Sequence, residues 1–245
     1  PKKVVDRLNN FMISTKVQPY ASYDISDIAG QNMDKAVQYF AEMINAKVDE
    51  IIIGSSTTMN MYVLSNALSN IIKSGDEIIC TNQDHEANIG GWRKLSERGV
   101  IIKEWRVDEK TAELEINDLK NLLSSKTKLV AVTHTSNIVG TNNNIKKIAE
   151  IVHNNNSLIV ADGVSYAPHG FPDVKDLDVD FYSFSTYKTF GPHLGLLYGK
   201  YEILKSLPNQ NHEFVKNEIP NITLNPGGPN HEETACLIGV SEYFD

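Results

Sequence analysis

Cysteine is nearly missing from this chain. Cys80 and Cys236 are the only two among 245 residues and form no C-x-x-C pair, which excludes a disulfide framework and a structural zinc ribbon. No apolar run approaches the roughly 18 residues that a membrane-spanning helix needs. Positive charge is also in short supply. The 23 Lys and Arg stand against 31 Asp and Glu, a net charge of -8, so long-range attraction to nucleic acid or anionic lipid is not expected, and neither is an expected partner. There is no G-x-x-x-x-G-K-[ST] loop and no G-x-G-x-x-G fingerprint, which counts against a nucleotide triphosphatase and against an NAD-binding domain. The opening residues show no basic-then-apolar leader pattern, and the expected setting is cytoplasmic.

What is present is ordinary for a globular protein: 41% hydrophobic residues, 22% charged, and enough length to bury a full core. The chain carries no internal repeat. Pro1 is not an initiator residue, and PKKVVDRLNNFM reads as a helix already in progress. HEETACLIGVSEYFD (231–245) has helical spacing and is followed by no capping Gly or Pro. These ends suggest a piece of a longer chain.

Between residues 51 and 200, short apolar runs alternate with amphipathic stretches. The runs at 51–54, 77–80, 100–105, 128–134, 157–163, 180–185 and 194–199 read as strands, and the segments at 58–72, 87–98 and 116–125 carry the i, i+3, i+4, i+7 spacing of helices. The fold expected is an α/β three-layer αβα sandwich with a mainly parallel mixed sheet. The last two runs are joined by a short loop without helical periodicity, so that pair is expected to be antiparallel. In open α/β sheets the ligand lies beyond the carboxyl ends of the strands, which singles out Ser55–Thr58, His85, Asn137, Asp162–Ser165 and Ser185–Lys188.

Each of these has a functional and a plain reading. GSSTTMN (54–60) places hydroxyls and helix N-terminal N–H groups where a phosphate monoester would bind, and it also reads as an N-cap. Asp162 ends an almost wholly apolar strand. A carboxylate there suits a protonated heteroaromatic nitrogen, a Mg²⁺ ion or a helix cap. Lys188 follows a strand among Tyr, Phe and Thr, surroundings that favour a nucleophilic amine over a solvated one. His85 stands at a strand-to-helix junction, fit to stack on a flat ring, to shuttle a proton or to cap a helix. Asn137 is an amide donor or an Asx turn. Asp162, His134 and His169 are also the residue types of a metal hydrolase, but no H-x-x-x-H or H-E-x-x-H spacing supports one, and no metal is expected.

Taken in order, the motifs D-H-E-A-N-I…W, V-D-E-x-T…E-L, S-N-x-x-G-T, D-x-V-x-Y-A-P-H-G and S-x-Y-K-x-F-G-P-H-x-G resemble the class V aminotransferase family of fold-type I pyridoxal-phosphate enzymes. That family includes cysteine desulfurases and kynureninase, and the similarity is to the cysteine-desulfurase-like branch, from about Ala21 onward. The resemblance implies a pyridoxal 5′-phosphate-dependent transferase or lyase acting on a small amino acid through a Lys188 Schiff base, and a homodimer. It makes Lys188 the cofactor lysine and α-proton base, Asp162 the pyridinium partner and His85 the residue stacked on the ring. Ser56, Thr57 and Ser185 fall at the cofactor phosphate, with Thr58 and Tyr187 beside them, and Asn137 at the ring oxygen or substrate.

Three positions depart from the family pattern. Ser165 stands where desulfurases carry a Gln, and Tyr187 where many carry a His. Gly228, in NPGGPNHE (225–232), replaces a Thr of the loop that reaches the partner's phosphate, leaving Asn230 or backbone N–H groups as substitutes. Neither Cys80 nor Cys236 matches the persulfide-forming Cys. Residues 1–245 are therefore expected to form the large cofactor-binding domain, with the family's N-terminal segment and C-terminal small domain missing. The alternative is a non-catalytic or truncated member that retains only cofactor binding and dimer contacts.

Overall fold

The computed structural model describes residues 1–215 and 219–244. All seven apolar runs form strands: β1 (Ile51–Gly54), β2 (Glu77–Thr81), β3 (Ile101–Trp105), β4 (Thr127–Thr133), β5 (Leu158–Asp162), β6 (Phe181–Ser185) and β7 (Gly195–Gly199). They build one sheet in the order β1-β7-β6-β5-β4-β2-β3. Neighbours from β6 to β3 are parallel, whereas β7 runs antiparallel to both β6 and β1. The short link between β6 and β7 leaves no room for a crossover, so the antiparallel pair expected from the sequence is what forms.

Helices close both faces. They are α1 (Lys2–Ser14), α2 (Asp24–Met43), α3 (Thr57–Leu68), α4 (Glu86–Arg93), α5 (Ile116–Leu122), α6 (Ile145–Asn154), α7 (Val174–Leu177), α8 (Tyr201–Ser206), α9 (Pro220–Thr223), α10 (His231–Cys236) and α11 (Ile238–Phe244). Alternate strand residues feed two cores, as the two-residue period of a strand requires. Ile51, Ile53, Val130, Val132, Ile159 and Ala161 pack with Phe40 of α2, Leu119 of α5 and Ile148 of α6. Ile52, Leu129, Ala131 and Val160 pack on the other side with Leu64 of α3 and Trp92 of α4. Because both faces are covered, the strands read as unbroken apolar runs rather than alternating ones.

The helices differ from their sequence spans at the ends. The 58–72 stretch is helical only to Leu68, where turn-type bonds from Asn70 N–H to Ala67 O and from Ile71 N–H to Leu68 O replace the helical ladder. The 87–98 stretch tightens to a 3₁₀ turn over Lys94–Arg98, ended by left-handed Gly99. The expected helix at 231–245 is two helices. Bonds from Leu237 N–H to Thr234 O and from Val240 N–H to Leu237 O tighten the chain between them, and Gly239 rests on the Val4 backbone of α1. Asp245 lies outside the described residues. No helix of the described residues is long and apolar enough to cross a membrane.

One close approach positions the functional end of the sheet. A Cβ on Gly195, the first residue of β7, would lie 2.3 Å from both Ser56 C and Thr57 N. Side-chain Asn60 Nδ2 donates to Gly195 O at 3.0 Å, tying α3 to the same point. Gly195→Ala must therefore push α3 off the sheet, and urea unfolding is expected to show about 1–3 kcal/mol of lost stability.

The opposite end of the sheet is held by charge. Asp180, just before β6, accepts from Ile159 N–H at 2.8 Å and lies 3.0 Å from His153 Nε2 and 3.1 Å from Lys200 Nζ. Its hydrogen bond raises the His153 pKa above the ordinary value, against the opposing effect of burial. A raised folded pKa contributes stability that is fully present below the unfolded value near 6.5 and is lost as pH rises through the folded one. His153→Gln is thus expected to lower urea stability by on the order of 1 kcal/mol at pH 5.5 and by less at pH 8.5.

Candidate active site

The carboxyl ends of β1, β2, β4, β5 and β6 open on one cleft. It is lined by Ser56, Thr57, Thr58, His85, Asn137, Asp162, Ser165, Ser185, Tyr187 and Lys188, together with Ala87, Thr133, Val164 and His193. All ten residues singled out from the sequence meet there. Of the four others, Val164 lies within the strand-end segment 162–165, and Ala87, Thr133 and His193 were not singled out. Of these His193 carries chemistry, and its signal was its place directly after Gly191-Pro192 in the Lys188 segment.

The order of the strands lays the cleft out along the sheet. At the β1 end, Ser56 caps α3, its Oγ accepting from Met59 N–H at 3.1 Å. The N–H groups of Thr57 and Thr58 open the helix and have no carbonyl of that helix to bond. Thr57 is buried, and its hydroxyl lies 2.8 Å from Ser185 Oγ at the end of β6. Three hydroxyls and two helix-terminal N–H groups make a seat for an anion.

Asp162 ends the central strand β5 and is 3% exposed. Its Oδ1 accepts from Val164 N–H at 2.8 Å, its sole hydrogen bond among the described residues. Burial raises its pKa, while the Val164 N–H and the nearby His85 and Lys188 act in the opposite direction. A carboxylate so placed is short of a cationic or donor partner from the cleft side. The floor behind it is aromatic. Tyr182 Oη and His134 Nδ1 share a 2.8 Å hydrogen bond, and a Cβ on Gly163 would meet the Tyr182 ring at 2.0 Å. His134 also stacks on Tyr166 at 3.7 Å, and burial lowers its pKa to about 4. No group of three or more potential metal ligands occurs among the described residues.

Lys188 lies in a 3₁₀ turn, Thr186–Thr189, that follows β6 directly. Thr186 clamps this turn: its hydroxyl donates to Pro192 O at 2.6 Å and its N–H to Leu194 O at 2.9 Å, while its carbonyl accepts from Gly191 N–H at 2.8 Å. Lys188 Nζ has no hydrogen bond or ion pair among the described residues, unlike Lys175 or Lys200. Across the cleft, His85 caps α4, its Nδ1 accepting from Ala87 N–H at 3.0 Å. That bond fixes the ring plane and leaves the proton on Nε2. Behind it Asp84 is buried, and desolvation lifts its pKa to about 7 despite donors from Thr81 and Asn88.

The residues fit a flat, cationic heteroaromatic group that carries a phosphate. Asp162 would pair with a ring nitrogen, His85 offers an oriented ring, the α3 end could take an anion, and Lys188 offers an amine without a partner among the described residues. The loop 225–232 does not line this cleft. Gly228 has φ +82°, a left-handed conformation that a β-branched Thr adopts poorly, which accounts for glycine at that position. The side chain of Asn230 is engaged as the cap of α10, accepting from Glu233 N–H at 3.0 Å.

Comparisons with known proteins bear on the family and the fold. An aminotransferase-like protein of Gibberella zeae is 41% identical over 246 residues, covering 99% of this chain and 61% of that protein. A cysteine desulfurase-like protein of Aspergillus flavus is 37% identical over 257 residues, covering 99% and 57%. This chain thus spans less than two-thirds of the length of either relative. The structure superposes on an apo cysteine desulfurase from Thermococcus onnurineus with a TM-score of 0.92 at 23% identity, over 99% of this chain and 64% of that one, a match of fold. The family model for class-V aminotransferases matches residues 1–215, starting earlier than the motifs alone suggested. With its cleft at the carboxyl ends of a mixed, mainly parallel seven-stranded sheet, the chain belongs to the class-V aminotransferase family.

Proposed function

We propose that the cleft binds pyridoxal 5′-phosphate and that the protein is a transferase or lyase acting on a small amino acid, of the kind seen in desulfurases and transaminases. The observation that supports this most directly is Asp162, a deeply buried carboxylate with one protein hydrogen bond, in a cleft that also presents an unpaired amine and an anion seat. When bound, the cofactor supplies an electron sink for negative charge developing on the substrate carbon.

The protein's own part is to bind, orient and move protons. Asp162 keeps the ring nitrogen protonated, and the buried setting strengthens that interaction because water does not compete for it. Lys188 would hold the cofactor through Nζ and would be the base for the proton on the substrate α-carbon. His85 packs on the ring face and fixes its plane. Ser56, Thr57 and Ser185 hold the phosphate, with Thr58 and Tyr187 beside them. Asn137 and Ser165 address the ring edge and substrate.

We read residues 1–245 as the large cofactor-binding domain, since the relatives carry additional length, and the working state as a cytoplasmic homodimer. The two buried cysteines are free thiols, as in reducing compartments.

The test is spectroscopic. The full-length protein with pyridoxal phosphate is expected to show a yellow band that borohydride fixes covalently on Lys188, and Lys188→Ala to abolish the fixed adduct and turnover together. A band without turnover of any amino acid would favour a member that only binds cofactor. Covalent fixation elsewhere than Lys188 would overturn the assignment. Asp162→Asn preserves shape and removes the charge. It is expected to lower kcat about 10²-fold or more, the scale of a lost electrostatic stabiliser, while the band at Lys188 still forms.

A further inference from the structure

We infer that His193 is a ligand of the cofactor phosphate and supplies the cationic contact that the anion end of the cleft otherwise lacks. The inference rests on the reading of the cleft as a pyridoxal-phosphate site and goes beyond it in assigning this residue.

A phosphate monoester is close to a dianion at neutral pH. The side chains lining the cleft include three that can carry positive charge, Lys188, His85 and His193, and no arginine. Lys188 is committed to attachment at the carbon centre. His85 follows β2 and belongs to the far side of the cleft, because the strand order puts β6, β5 and β4 between β7 and β2. Its Nδ1 is also occupied by the cap of α4. His193 remains.

Its position follows from the packing of β7. The chain enters β7 two residues after His193, at Gly195, whose backbone lies against Ser56 and Thr57 closely enough that a Cβ would overlap both. β7 is flanked by β1 and β6, and the Thr57 and Ser185 hydroxyls from those two sides meet at 2.8 Å. His193 therefore stands between the helix that seats the anion and the strand that carries Ser185. Its ring is held flat against Tyr187, with centroids 5.0 Å apart and planes 1° apart. Among the described residues no hydrogen bond engages either ring nitrogen. The Thr186 clamp that fixes the Lys188 turn also fixes Pro192 and Leu194 on either side of His193. An oriented imidazole with two uncommitted nitrogens, beside hydroxyls and helix N–H groups, supplies the charge-assisted hydrogen bond that a phosphate needs.

The test compares pyridoxal phosphate with pyridoxal, which lacks the phosphate. In the full-length protein, His193→Gln is expected to weaken pyridoxal phosphate binding about tenfold or more, as loss of a charge-assisted hydrogen bond does, and to leave pyridoxal binding unchanged. In parallel, the His193 imidazole resonance of wild-type apoprotein is expected to shift on addition of inorganic phosphate, with saturation. Equal weakening for both ligands, or a drop in kcat with unchanged cofactor affinity, would overturn the inference, as would a His193 resonance unmoved by phosphate. The two readings fail separately. Absence of a borohydride-fixed adduct on Lys188 in the wild-type protein removes the cofactor reading, whereas the phosphate titration of His193 stands without any cofactor and needs no variant to fold.

Discussion

The arrangement turns on how tightly β7 is wedged between β1 and β6. That antiparallel strand brings the Lys188 turn back into the sheet beside the first turn of α3, and it does so only because Gly195 presents bare backbone to Ser56 and Thr57. With β7 seated, the hydroxyls of Thr57 and Ser185, 128 positions apart in sequence, come within hydrogen-bond distance. Asn60 fastens α3 to the same glycine. The seat for an anion is thus a by-product of strand packing, built from elements that have no contact along the chain.

Charge is placed with similar economy. Negative charge is buried at both ends of the sheet but treated differently at each. Asp180 is surrounded by His153, Lys200 and a backbone N–H, so its cost of burial is met inside the protein. Asp162 receives one backbone N–H, and the remainder of its need faces the cleft. The first pattern stabilises a fold, and the second leaves a carboxylate able to take a cationic partner from the cleft.

Much of this was legible in the sequence. Seven apolar runs became seven strands because both sheet faces are covered, so burial on each side leaves no polar alternation to blur the signal. The polar residues directly after those runs met in one cleft because parallel strands share an edge for their carboxyl ends. His193 lies within the Lys188 motif but is not singled out by it, since the motif alone does not show that its ring stacks on Tyr187 and lines the cleft. Helix ends were also misjudged. The apolar period persists into turns such as Ser69–Ile72, and the break at Leu237 depends on how Gly239 meets α1. Glycine at 228, which departs from the family pattern in the sequence, sits in a left-handed backbone conformation.

The Thr186 clamp has a mechanical consequence. Three hydrogen bonds from one threonine fix the turn that carries Lys188, so the backbone beneath the amine has little freedom to travel. Displacement of Nζ through the cleft must then come from rotation about the four-carbon stem. If Lys188 holds the cofactor as proposed, the sweep of that stem, a few ångströms wide, would set how far apart the point of attachment and the atom to be deprotonated can lie.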